Sequence, residues 1–196
     1  ILIHAASFCF SFLVARRSFR HGAAKGETSN EQRVTQFMPL QKIVSGGQAG
    51  VGRGALDAAL DAGFPCGGWA PEGRIAEDGP ISARYPLIEL AGSGYEKRTR
   101  ANVLDSDGTA ILYFGALEGG TRLTMEYCVK HDKPCELLNA ERLSPEEAAR
   151  ELAAFVAGNG ISLLNVAGPR ASKWPGAQDY ARETIKCLLR SANKNK

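Results

Sequence analysis

Along the chain, short unbroken apolar runs alternate with longer stretches in which apolar residues recur every three or four positions. The first pattern is that of strands buried on both faces of a parallel sheet; the second is that of helices with one apolar side. A strand is predicted to open at Lys42, with others at 64–69, 87–90, 108–114, 134–138 and 161–166. Helices are predicted at 53–62, 95–104, 119 to about 131, 144 to about 158–160, and 178–190. Gly63 stops the first helix, and Ser144-Pro145-Glu146-Glu147 supplies a capping serine, a proline at the first position and early acids. Residues 70–86, rich in proline, glycine and charge, read as a loop. Strand alternating with helix predicts an α/β fold, a mostly parallel doubly wound sheet with helices on both faces and right-handed crossovers. In such sheets ligands sit beyond the carboxyl ends of the strands.

With 196 residues the chain is long enough for one well-buried domain, placed at 42–190. Residues 1–41 are expected to be a disordered extension and 191–196 a basic tail. The net charge of +3 resides in the extension, which has five Lys/Arg against two Asp/Glu, whereas the remainder has nineteen of each. A neutral body gives no reason to expect a nucleic-acid partner. The apolar run at 1–15 is short for a membrane span, and Arg16 and Arg17 follow it, where a secretory signal would have charges first. A cytoplasmic protein without a membrane partner is expected. Five cysteines, odd in number and without a C-x-x-C pair, read as reduced thiols.

The densest chemistry lies at Ser45-Gly46-Gly47-Gln48-Ala49-Gly50-Val51-Gly52, between the first strand and first helix. Glycines let backbone amides reach a ligand, and a helix N-terminus adds partial positive charge, so the expected guest is an anion. Gly47 in particular is expected to present its amide. The stretch is no P-loop: Gly47 and Gly52 have the spacing, but Arg53 and Gly54 follow in place of lysine and a hydroxyl. A dinucleotide loop fails too, at its third glycine and at the missing ribose carboxylate.

Other unusual residues collect at the same strand ends: Trp69 with Arg74, Glu77 and Asp78; Gly119-Gly120-Thr121 opening a second helix; and Gly168-Pro169-Arg170 with Ser172 and Lys173. Two helix N-termini beside three basic residues suit a polyanion, although each basic residue taken alone reads first as solvated surface charge. Glu77-Asp78 and Asp105/Asp107 are the carboxylate clusters available for acid–base or metal work, or for bridging loops. No histidine–metal set, Ser-His-Asp or Cys-His arrangement assembles from the sequence, so no metal ligands are assigned.

Four motifs carry a family resemblance: Ser45-Gly46-Gly47-Gln48-x-Gly50-Val51, the segment from Gly67 to Gly79, Arg98-Thr99-x-x-Asn102-Val103-x-Asp105-Ser106-Asp107-Gly108-Thr109, and Asn165-Val166-Ala167-Gly168-Pro169-Arg170-x-Ser172-Lys173. Together, over about 41–190, the chain resembles the molybdenum carrier protein family. The resemblance implies a single Rossmann-like domain that binds molybdenum cofactor (a pterin bearing a phosphate and a molybdenum oxyanion), protects it or delivers it to molybdoenzymes, and assembles as a homo-oligomer. It puts the cofactor at Ser45, Gly46, Gly47, Gln48, Gly50, Trp69, Arg74, Glu77, Asp78, Gly119, Gly120, Thr121, Gly168, Pro169, Arg170, Ser172 and Lys173. The chain departs from the family at Ala49, Gly52 and Ala70, where threonine, aspartate and cysteine are usual.

The same superfamily holds the "lonely guy" phosphoribohydrolases, which act on nucleoside monophosphates and carry Gly-Gly-x-Gly-Thr-x-x-Glu. Here Gly119-Gly120 and Glu126 keep their offset, but Arg122 and Leu123 replace the inner Gly-Thr. A nucleotide-binding or hydrolytic protein using Glu126 and Arg98 is thus the alternative, and a carrier without catalytic residues the favoured expectation.

Overall fold

The computed structural model describes residues 40–193. In chain order the elements are β1 (Lys42–Val44), α1 (Val51–Asp61), β2 (Cys66–Pro71), β3 (Ile75–Ala76), β4 (Gly79–Pro80), β5 (Leu87–Leu90), α2 (Tyr95–Leu104), β6 (Gly108–Tyr113), α3 (Gly119–Lys130), β7 (Cys135–Asn139), α4 (Pro145–Gly158), β8 (Leu163–Ala167) and α5 (Ala177–Asn193). Six strands pair in the order β5-β2-β1-β8-β6-β7, every pair parallel. The short β3 and β4 form an antiparallel ladder inside the segment read as a loop.

β6 sits between β8 and β7, and residues 108–112 are all buried, as a strand covered on both faces requires. Its side chains alternate. Ala110 and Leu112 join the large core formed with α1, α4 and α5, which includes Ile43, Val51, Leu152, Ile185 and Leu188. On another part of the molecule Val103 of α2 packs with Tyr127 and Cys128 of α3. Each fully buried Leu, Ile or Val contributes about 1.5–3 kcal/mol against exposure, so the first cluster dominates stability.

Local composition explains the ends of elements. Ser144 Oγ accepts from the Glu147 amide at 3.2 Å, and the Glu147 carboxylate accepts from the Ser144 amide at 2.9 Å, which closes the expected capping box on α4. α1 begins at Val51 rather than at 53. Glycines 52 and 54 are weak helix formers, but Gly54 faces the Gln178 carbonyl of α5 so closely that a Cβ there has no room. Tertiary packing overrides propensity at that crossing. Asp57, buried on α1, accepts from Tyr85 Oη and Gln178 Nε2, each at 2.8 Å, and pairs with Arg84. It thereby ties α1 to α5 and to the turn before β5.

Leu40 is buried in the core and the Gln41 amide donates to Ser162 O at 2.8 Å, so the folded part takes in two residues that the sequence assigned to the extension. α5 runs three residues past its expected end. Residues 1–39 of the extension and 194–196 of the tail lie outside the described residues.

Candidate functional site

β1 leads to α1 on one face of the sheet and β6 leads to α3 on the other, with β8 between them. Connections that leave neighbouring strands in opposite directions open a crevice at the strands' carboxyl ends. There the structure has a cleft of ≈ 640 Å³. Its floor is Ser45, Gly46 and Gln48 with Gly52 of α1. One wall is α2, another the start of α3 at Gly119, Gly120 and Thr121, and a third the segment from Asn165 to Trp174.

Two helices point their N-termini here, and both differ from α4. α1 and α3 have no side-chain cap and no acid in the first turn, whereas α4 has Ser144, Glu146 and Glu147. The amides of Val51, Arg53 and Thr121 donate to the carbonyls of Pro169, Gln48 and Glu118, which leaves Gly52 of α1 and Gly119 and Gly120 of α3 at the positive macrodipole ends to meet an anion.

Arg98 supplies the charge. Its guanidinium lies against the backbone of Gly46, where any side chain would overlap it. Its Nε is buried without a hydrogen-bond partner, and no carboxylate pairs with it among the described residues. Burial, with Arg170 nearby, pulls its pKa down to about 10. Arg170 lies 4.7 Å above the Tyr95 ring, one helical turn before Arg98, and is exposed. Neither arginine forms an ion pair among the described residues, although Glu96 and Glu118 also line the cleft. Lys173 lines the same cleft, exposed and without an ion-pair partner among the described residues.

Of the residues expected from sequence to hold the cofactor, Ser45, Gly46, Gln48, Gly119, Gly120, Thr121, Gly168, Pro169, Arg170, Ser172 and Lys173 line the cleft, as does Arg98 from the alternative reading. The others do not. Arg74 is turned away: its guanidinium donates to the carbonyls of Ile81, Leu87 and Ser82 at 2.9 Å and of Tyr85 at 3.0 Å, so it clamps the segment before β5 with four of its five N–H donors and has no pair of them left for a phosphate. Glu77 accepts from the amide and hydroxyl of Ser172 at 3.0 and 2.5 Å, and Asp78 pairs with Arg53. Both carboxylates fasten one loop to another. The Trp69 indole donates to Asp105 at 2.5 Å, and Asp107 accepts from the amides of Ser162 and Leu163, so that acidic pair bridges loops. Glu126 stands half exposed on α3 in an i,i+4 pair with Arg122, outside the cleft that contains Arg98.

Gly47 and Gly50 belong to the loop but not to the cleft lining. Gly50 faces the backbone of 169–171. Gly47 has φ +69°, and a Cβ there would stand 2.5 Å from Leu87 Cδ1 and 3.3 Å from Ile81. These belong to a buried cluster that cannot easily give way. Gly47→Ala is therefore expected to destabilise the fold by about 1–3 kcal/mol, through left-handed backbone strain and overpacking. Urea denaturation checks this, and a midpoint equal to that of the wild type would return the glycine to the ligand site.

Sequence reading missed Tyr95, Tyr113, Phe114 and Trp174, and gave no site role to Thr99 and Asn165 of its motifs, although all six line the cleft. One signal was present. Tyr95, Arg98, Thr99 and Asn102 follow a spacing of three and four, a stripe along one side of α2. The described cysteines, Cys66, Cys128, Cys135 and Cys187, are unpaired and none lines the cleft; Cys9 lies outside the described residues.

Fold and cleft together define a doubly wound α/β protein of the Rossmann-like class, with its crevice at the switch point of the sheet. Residues 43–189 match the circularly permutated YpsA SLOG family, and the chain belongs to it. The sheet accords with that description, since moving β8 and α5 to the front of the chain would leave strands numbered outward from the middle. Among solved structures the chain is similar to the 1.45 Å crystal structure of the "Putative molybdenum carrier protein" from Syntrophus aciditrophicus. The two share 42% identity over 77% of this chain and 96% of the other, with a TM-score of 0.75. This relative supports the resemblance read from the four motifs. No curated protein matches the chain. No helix among the described residues is long and apolar enough to cross a membrane.

Proposed function

We propose that the cleft binds an anionic small molecule and that molybdenum cofactor, held and handed on without turnover, is its cargo. The observation that carries this reading is Arg98: a partly buried guanidinium beside a second arginine, with no carboxylate partner among the described residues. A protein gains nothing in stability from an unpaired buried charge, so its counter-ion is expected from outside. The volume suits a ligand of cofactor size. Arginines and helix amides are donors to oxygens, which fits the phosphate and the molybdenum oxyanion better than a bare metal ion. The name of the solved relative points the same way.

Nucleotide binding is the second reading, because a phosphate would use the same donors. Its hydrolytic form is weakened by Glu126, which stands outside the cleft. Delivery to molybdoenzymes, self-association and a cytoplasmic location belong to the carrier reading.

Protein purified from molybdate-fed cells should carry molybdenum near one atom per chain and slow the oxidation of added cofactor. Metal-free protein that fails to protect the cofactor but binds AMP would decide for the nucleotide reading.

A further inference from the structure

We propose that Phe114, braced by Trp174, is a stacking platform for a flat heterocycle, so that the cleft selects anions carried on a planar ring over bare oxyanions and sugar phosphates. This rests on the cleft being an anion site and adds the chemical class of what the anion is attached to.

Phe114 follows β6 directly at its carboxyl end, in the cleft lining and 48% exposed. One face of its ring lies on Trp174, with centroids 5.2 Å apart and planes 18° apart. Its exposure therefore falls on the opposite face and the edge. Trp174 is fixed from behind: Tyr180 tilts against it at 5.3 Å and donates its hydroxyl to Leu143 O at 2.9 Å. The indole is also packed against the main core. An aromatic stack held in this way loses little freedom when a ligand arrives.

Position makes the ring informative. Single exposed apolar residues are common and need no explanation. Phe114, however, shares a cleft with the unpaired Arg98, and an aromatic wall joined to a cationic one is the complement of an anion on a flat ring. Aromatic faces prefer parallel, offset partners at 4.5–7 Å, the geometry already used on the Trp174 side. Base–aromatic stacking alters affinity by about tenfold to hundredfold on alanine substitution.

The test compares AMP, a pterin phosphate ester and ribose 5-phosphate by titration calorimetry on the full chain. The chain has two tryptophans, so a Trp69→Phe background leaves Trp174 as the fluorescent reporter. Ring-bearing phosphates are expected to bind at least tenfold more tightly than ribose 5-phosphate and to quench Trp174. Phe114→Ala should abolish that advantage, leave ribose 5-phosphate affinity unchanged and keep a native circular dichroism spectrum; Phe114→Tyr should restore the advantage. Equal affinity for ring and sugar phosphates, or ring affinity untouched in Phe114→Ala, would overturn the platform even while Arg98→Ala abolishes phosphate binding. A change in assembly size by light scattering, without a change in affinity, would assign Phe114 to a contact between copies and overturn it also. Failure of all three phosphates to bind the wild type would remove the anion site and the platform with it.

Discussion

Arg98→Met is expected to make the protein more stable and to remove its hold on anions. The two effects have one cause. The guanidinium is pressed against Gly46 with a buried Nε that no protein atom satisfies, and its pKa falls well below the ordinary guanidinium range, to about 10, first through burial and then through Arg170. A shift of that size corresponds to on the order of 3 kcal/mol disfavouring the charged form. Methionine keeps much of the volume and none of the charge, so a gain of roughly 1–3 kcal/mol is expected, or about 2–10 °C in melting temperature. Phosphate affinity should fall about a hundredfold, since a bidentate arginine contributes two charge-assisted bonds.

The sign with pH follows from linkage. Arg98 is a base whose folded value lies below its unfolded one, so between about 10 and the ordinary guanidinium value the unfolded chain binds more protons. Wild-type stability, taken relative to Arg98→Met, should therefore rise with pH across that interval. Below pH 10 the penalty is fully present. A saturating anion should offset it at neutral pH, where it raises the wild-type melting temperature and leaves the variant unmoved. Thermal melts of both proteins, with and without phosphate ligand, are the check. A less stable variant with intact phosphate affinity would show that Arg98 holds the fold together and does not serve the cleft.

Much of this fold was legible because strand, helix and stop signals are local. β5 and α2 lie where the apolar pattern puts them, and the α4 cap is written in four adjacent residues. The cleft was legible in part for the same reason: in a parallel sheet, residues just past the strands must gather on one rim. What local pattern does not specify is direction and order. Arg74 looked like a phosphate ligand, yet it meets carbonyls seven to thirteen residues further on, and only the closed loop brings them round it. Glu77 finds Ser172 ninety-five positions away. β8, the last strand, occupies the middle of the sheet, and no property of its own sequence distinguishes a central from an edge position. Gly47 reads two ways in sequence, because a glycine at positive φ serves a tight turn and an anion loop equally well. The structure adds that its missing side chain would strike Leu87, which speaks for a packing role.

Arg170→Ala is expected to weaken phosphate binding tenfold to hundredfold, and Lys173→Ala to weaken it less. Both residues are exposed at the cleft, but they are held differently. Arg170 is steadied over the Tyr95 ring and presents a flat pair of donors beside Arg98, whereas Lys173 offers a point charge on a flexible stem. The rival account makes Arg170 a clamp on the long loop through Glu77 or Asp78. Those acids are occupied by Ser172 and Arg53, and the backbone around 170 is anchored independently by the Ala171 amide on Ala49 O at 3.1 Å. Losing the side chain therefore breaks no ion pair, and stability should change by no more than about 1 kcal/mol, the worth of an exposed cation–π contact. Arg170→Lys should recover only part of the affinity. Because both arginines would grip one anion, the double variant with Arg98→Met should lose less than the product of the two single losses. Calorimetric titration of the four proteins with AMP and with molybdenum cofactor measures this coupling. Full affinity for both ligands in Arg170→Ala would leave Arg98 and Lys173 as the cations of the site and Arg170 as a surface charge resting on a tyrosine.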